Sequence, residues 1–308
     1  MNDNRIIIVA GPTASGKSDL ALALAERLDG VIINADSMQV YQGLRVLTAR
    51  PSPADEARVP HRLYGFIDPA ERCSAGRWRA AAIEAIEAAH ATGKRAIVTG
   101  GTGFYIEALT RGLSPIPDVP PDTLAAAEAL CTETGVPAFA ELVRANDPEA
   151  ADRIGPNDRQ RLVRAWAVIQ ATGKPLSSWQ KIPPAPAPFP HTALWLNPPR
   201  AVLYDRCDRR LAAMLAAGAL EEVAALKARR LDPGLPAMKA LGVADLAAYL
   251  DGTMSLAEAQ AAAQQATRRF AKRQLTWFRH RLPQGLRIDA QFSESFLEEI
   301  LSFIRNSN

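Results

Sequence analysis

The chain has 308 residues, 48% of them hydrophobic and 22% charged, a composition that excludes a disordered protein, and its 23 prolines and 19 glycines show no collagen-like period. Such a length fits one large globular domain plus an insertion. Thirty-six Lys and Arg against 33 Asp and Glu leave a net charge of +3, so bulk charge identifies no partner and its distribution has to be examined.

Three segments, Arg5–Ala10, Val31–Ala35 and Arg95–Thr99, are short, β-branched and nearly continuously apolar, as strands buried on both sheet faces are. Between them, Ser18–Leu28 and Ala75–Thr92 have helical spacing, with Gly30 and Gly93 where helix stops are expected. This alternation predicts an α/β core, a parallel sheet flanked by helices. After Gly112 the proline-rich SPIPDVPPD interrupts the pattern, and Thr123–Ala171 reads as several helices without a strand. Ile182–Pro190 (IPPAPAPFP) predicts a stiff extended linker, and His191–Asn197 a return to the sheet. The expected organisation is a core of residues 1–113 and 191–308 with an all-helical insertion at 114–190. Helices are expected again at Ala201–Arg230, Ala244–Leu250 and Leu256–Arg281, and a last strand at Leu286–Asp289.

Cys73, Cys131 and Cys207 are widely spaced and form no CxxC pair, which favours a reducing, cytoplasmic setting. The leader MNDNR runs straight into Ile6–Val9, too short for a signal-peptide core, and no stretch approaches the roughly 20 apolar residues of a membrane span. His61, His90, His191 and His280 are scattered without ligand spacing, so protein-bound zinc is not expected.

Gly11-Pro12-Thr13-Ala14-Ser15-Gly16-Lys17-Ser18 matches GxxxxGK[ST] between the first strand and the first helix, where a phosphate loop must lie. Its glycines turn backbone N–H groups toward an anion, Lys17 and the helix N-terminus add positive charge, and Ser18 is the expected Mg²⁺ ligand. The loop reports a diphosphate or triphosphate, not the molecule that carries it. Many nucleotide hydrolases and kinases add an acidic residue at another strand end, whereas RAIVTGG ends here in Thr99-Gly100-Gly101-Thr102. Asp36 follows the second strand and is expected on the same sheet edge. It reads as a general base, as a water-mediated Mg²⁺ contact, or as an ordinary turn aspartate.

The turn Gly100–Tyr105 either lines the pocket with Thr102 or is a plain strand-end turn. Of Arg206, Arg209 and Arg210, one could reach a diphosphate, and nearby Asp205 and Asp208 make surface pairing an equal alternative. Between Glu258 and Asp289 there is no acidic residue, and Arg268, Arg269, Lys272, Arg273, Arg279, Arg281 and Arg287 alternate with Phe270, Trp277 and Phe278. That stretch reads either as an RNA-binding helix or as a solvated basic face with its aromatics turned inward. Arg159–Arg164 in the insertion has the same ambiguity.

Taken in order, GPTASGKS, NADSMQVY, PHRLYGFIDP, VTGGTGFYI, NDRQRLVRA and AKRQLTWFR resemble the tRNA dimethylallyltransferases, or tRNA isopentenyltransferases, over most of the chain. The resemblance implies a P-loop NTPase-like sheet. It also implies transfer of a dimethylallyl group from dimethylallyl diphosphate to N6 of the adenosine 3′ to the anticodon in tRNA. Carried over residue by residue, it gives Asp36 as general base and Gly11–Ser18 as the diphosphate cradle with Mg²⁺. Arg210 becomes a diphosphate contact and Thr102 a hydroxyl near the target adenosine. Asp36, Ser37, Met38 and Gln39, with Gln160, Arg161, Leu162, Val163 and Arg164, become tRNA contacts, at the anticodon stem-loop. Val243, and RAWA at Arg164–Ala167, depart from the family's usual pattern. A monomer is expected. The rival expectations are an ATP-dependent small-molecule kinase and a nucleotide-regulated RNA-binding protein.

Overall fold

A computed structural model describes residues 4–282 and 284–307; Met1–Asp3, Pro283 and Asn308, which fall inside the expected core ranges, lie outside them. The elements run β1 (Ile6–Ala10), α1 (Lys17–Arg27), β2 (Gly30–Asn34), α2 (Pro53–Arg58), β3 (His61–Arg62), α3 (Ala75–Ala91), β4 (Arg95–Gly100) and α4 (Gly103–Thr110). Helices α5 (Pro121–Thr134), α6 (Val136–Asn146), α7 (Pro148–Arg153), α8 (Arg159–Thr172) and α9 (Leu176–Gln180) follow. The chain then forms β5 (His191–Leu196), α10 (Arg200–Ala216), α11 (Ala219–Ala228), α12 (Val243–Leu250), α13 (Leu256–Arg281), β6 (Gly285–Ile288) and α14 (Leu297–Asn306). All six strands are parallel, in the order β3-β2-β4-β1-β5-β6.

Burial on both faces explains why the strands read as unbroken apolar runs. Along β1, Ile6 and Ile8 point into one cluster with Trp78, Ala82 and Ile86 of α3. Ile7 and Val9 point into the other, with Leu20 and Leu24 of α1 and Ile300, Leu301 and Ile304 of α14. Each isoleucine so enclosed contributes about 1.5–3 kcal/mol of transfer free energy. The sheet is therefore held from both sides, and its carboxyl edge is left for loops.

Several boundaries differ from the sequence expectation. Gly30 does not stop α1; Asp29 takes the left-handed turn (φ 46°) and Gly30 opens β2. The expected span Ala201–Arg230 breaks at Gly218, whose φ of 104° separates α10 from α11. Short α2 and β3, and helices α4 and α14, had no counterpart in the sequence reading.

The chain divides into two compact units, Met1–Thr110 with Ala187–Asn308, and Arg111–Pro186. The second unit thus ends before Pro190. Ala187 N–H bonds the Leu109 carbonyl at 3.0 Å and the Pro190 carbonyl accepts Ile6 N–H at 2.9 Å, so the end of the proline run extends the β5 edge of the sheet. Arg111–Pro186 packs α5–α9 around Phe139, Val143, Leu162, Val163 and Val168. Inside it the buried Asp147 carboxylate accepts Ala150 N–H at 3.0 Å and Ser177 N–H at 2.9 Å, tying α7 to α9. Among the described residues no helix is long and apolar enough to cross a membrane.

Candidate active site

Chain order places the site. From β1 the chain passes to β2 and β3 and then inserts β4 between β2 and β1, so the loops leaving β1, β2 and β4 meet at one carboxyl edge, where doubly wound sheets bind ligands.

The β1 loop turns back through Ala14 (φ 63°) and Gly16 (φ 85°) into α1. Left-handed backbone suits glycine and strains alanine, and the strained residue is braced: Arg206 Nε donates to the Ala14 carbonyl at 3.1 Å. Arg210 donates to the Thr13 hydroxyl. Lys17 Nζ donates to the Pro12 carbonyl at 3.2 Å. Ser15 is fully buried, and its hydroxyl has no hydrogen-bond partner among the described residues. Ser18 lies exposed in the first turn of α1. Beside Ser15, Lys17, Ser18, Arg206 and Arg210 opens a cleft of about 440 Å³.

Burial lowers the Lys17 pKa to about 8, with the Asp36 charge opposing the shift and Arg210 adding to it. Burial likewise lowers the Arg210 pKa, opposed by Cys207 and Asp36. A strong anion restores the solvation that both cations have lost.

Asp36 follows β2 as expected. Its Oδ1 accepts Met38 N–H at 2.9 Å, so the turn-aspartate reading is correct for local geometry, while its charge acts on both Lys17 and Arg210. Asn34, fully buried, sets the turn. Its Oδ1 accepts Asp36 N–H at 2.8 Å, and its amide donates to the Asp36 and Leu63 carbonyls at 3.0 Å each. Thr102 N–H bonds the Ala35 carbonyl at 3.1 Å, and Thr102 Oγ1 accepts Ser37 N–H at 2.9 Å. The Asp36 and Thr102 turns are therefore one unit. Met38 is half-buried against the core, and Gln39 spends its amide on the Thr48 and Ala49 carbonyls at 2.9 Å.

The three arginines after β5 divide. Arg209 also lines the cleft but pairs with Asp205 at the surface, and Asp208 pairs with Arg268 at 2.6 Å, whereas Arg206 and Arg210 hydrogen-bond the phosphate loop itself. Helix α13 divides as well. Phe278 is core, whereas Arg269, Lys272, Arg273, Thr276 and Trp277 line an open cleft of about 470 Å³, with Arg273 over the Phe270 ring.

On α8, Gln160, Arg161 and Arg164 are exposed. The expectation fails for Leu162 (1% exposed) and Val163 (4%), which face the core of their own unit. An amphipathic helix cannot present five consecutive side chains to one ligand. Asn34 and the buried Gln274 of α13 have no counterpart among the residues expected from the sequence, whereas Arg206 is one of the three arginines expected there and reaches the loop through the Ala14 carbonyl. The signal for Gln274 was a glutamine on the apolar stripe Ala263, Thr267, Ala271, Leu275, Phe278.

The tRNA dimethylallyltransferase of Rhodospirillum centenum is 55% identical over 286 residues, covering 92% of this chain and 91% of that protein. The crystal structure of full-length tRNA isopentenylpyrophosphate transferase from Bacillus halodurans matches with a TM-score of 0.71 and 32% identity, over 99% of this chain and 96% of that one. A eukaryotic dimethylallyltransferase captured acting on tRNA matches with a TM-score of 0.77 and 28% identity, over 89% of this chain and 69% of that one. With the family model for IPP transferase matching residues 39–281, the chain belongs to the IPP transferase family.

Proposed function

We propose that this protein transfers the dimethylallyl group of dimethylallyl diphosphate to N6 of the adenosine 3′ to the anticodon in tRNA, releasing diphosphate. The observation that carries the reading is the meeting, at one sheet edge, of a cationic phosphate loop held by Arg206 and Arg210 with the joined turns that carry Asp36 and Thr102. An exocyclic adenine amine has its lone pair delocalised into the ring and must lose a proton as it attacks. In the reaction the N6–C1 bond forms, the C1–O bond breaks with its electron pair leaving on diphosphate, and Asp36 takes the N6 proton. Lys17 and Arg210 stabilise the charge that grows on the leaving group. Thr102, joined to Ser37, stands beside the base as its hydroxyl contact.

Mg²⁺ takes few protein ligands and keeps phosphate oxygens and water; the exposed Ser18 hydroxyl beside the buried, unpartnered Ser15 suits it, and when bound it neutralises diphosphate charge. The target adenine must leave its stack to reach such a site. Gln160, Arg161 and Arg164 of α8, Asp36–Gln39, and the basic cleft of α13 supply contacts for the anticodon stem-loop. The protein works as a monomer, and its three free cysteines fit a reducing cytoplasm.

The experiment is incubation with Mg²⁺, dimethylallyl diphosphate and unmodified tRNA, followed by digestion and weighing of the nucleosides. A gain of one C5H8 on adenosine supports the reading. No gain, with ATP turnover on a small acceptor instead, would return the loop to a kinase.

A further inference from the structure

Gln274 lies in the C-terminal third of α13 and is 5% exposed. Both ends of its amide are engaged with distant backbone: Oε1 accepts Thr13 N–H at 2.8 Å, and Nε2 donates to the Gly101 carbonyl at 2.8 Å. One partner only donates and the other only accepts, so the amide has one orientation. Its two partners belong to the loops that leave the adjacent strands β1 and β4 at the sheet's carboxyl edge. Thr13 is in the phosphate loop, and Gly101 immediately precedes Thr102.

The loop wall needs holding. Thr13 is gripped a second time at its hydroxyl by Arg210, and its neighbour Ala14 is left-handed, with its carbonyl on Arg206. Gln274 carries this bracing across to the β4 turn. The fit is close: a Cβ on Gly101 would stand 2.3 Å from Gln274 Nε2, so a side chain there would displace the amide from this bond.

We propose that Gln274 is a positioning residue that sets the separation between the phosphate loop and the Thr102 turn, and hence between the departing diphosphate oxygen and the attacking N6. The inference rests on the proposed function above. A displacement in which one bond forms as another breaks depends steeply on the spacing and alignment of its two ends. Gln274 spends both amide atoms on backbone and acts through the walls it joins.

The test compares Gln274→Ala, Gly101→Ala and the double variant. Readouts are steady-state prenyl transfer, calorimetric binding of inorganic diphosphate in Mg²⁺ buffer, and thermal unfolding to verify the fold. Gln274→Ala is expected to lower kcat roughly 10- to 100-fold, to weaken diphosphate binding by about threefold to tenfold as the loop loses a brace, and to leave KM for tRNA within about twofold. Gly101→Ala should reproduce the kcat loss by pushing the amide aside. In the double variant the added methyl takes the room the amide leaves, so its loss should not exceed that of Gln274→Ala alone. A folded Gln274→Ala with wild-type kcat and diphosphate affinity overturns the proposal, as do fully additive losses in the double variant. Should Gln274→Ala fail to fold, Gly101→Ala reads the same contact. If the unaltered protein binds diphosphate but transfers nothing, the proposed function fails, and the diphosphate arm still decides whether Gln274 holds the loop.

Discussion

The phosphate loop and helix α8 both gather basic residues and hold them in opposite ways. At the loop, Lys17 and Arg210 have lost much of their water; Lys17 bonds the nearby Pro12 carbonyl, and Arg210 bonds Thr13 across 197 positions. On α8, Arg161 stays exposed and pairs with Asp158 three residues before it at 3.3 Å, and Arg159 donates to Thr132 of neighbouring α5 at 2.8 Å. A desolvated, fixed charge acts strongly on one anion at one place. An exposed charge is screened within about 10 Å and contributes one weak, salt-dependent contact among many to a polyanion. The loop is therefore built for one localised anion, and α8 for many weak contacts to an extended one, which matches the two substrates of the proposed reaction.

The sharpest break in that comparison is at the buried side. Asp36→Asn should reduce single-turnover prenyl transfer by roughly 10²–10⁴ and leave tRNA affinity near normal; unchanged turnover would remove Asp36 from the mechanism. Leu162→Ala tests the interior of the exposed-charge helix. It should cost about 2–5 kcal/mol of stability in denaturant melts while the folded fraction keeps its tRNA affinity, and the reverse outcome would make Leu162 an RNA contact after all.

Acidity sharpens the contrast further. The Lys17 pKa, lowered by burial to about 8 in the folded chain from the ordinary lysine value of 10.5, means that the unfolded chain binds more protons between those values. This group therefore makes the free protein more stable as pH rises through the window, while the ammonium that diphosphate needs is lost. kcat/KM for the donor should fall about tenfold per pH unit above roughly pH 8, and calorimetry near pH 9 in buffers of different ionisation enthalpy should detect proton uptake on diphosphate binding. A flat profile would mean that Lys17 stays charged without its anion. Smallest in size, Arg161→Ala and Arg164→Ala should each weaken tRNA binding several-fold and reduce the salt slope by about one, with diphosphate binding unaltered. A loss independent of salt would contradict a phosphate contact.

How far each feature could be read follows from where its partners lie. The phosphate loop is eight consecutive residues between a strand and a helix, so motif and context stand together in the sequence. The arginines after β5 could not be separated by spacing, because Arg209 and Arg210 are neighbours whose fates depend on which side of α10 meets the loop. Leu162 and Val163 were grouped with their exposed neighbours, although the helical period turns them inward. Gln274 kept its role hidden because its partners stand 261 and 173 positions away.

The parallel α/β core, the phosphate loop and the carboxylate after the second strand can be read from the amino-acid order alone, since strand burial, glycine turns and strand-end loops are properties of short contiguous segments. The strand order, the start of β2 at Gly30, the division of the arginines and the bridge from Thr13 through Gln274 to Gly101 emerge from the folded chain. Those depend on which distant backbone groups become neighbours once the sheet is closed on both faces, and buried polar groups are paired there with whatever partner the packing brings within reach.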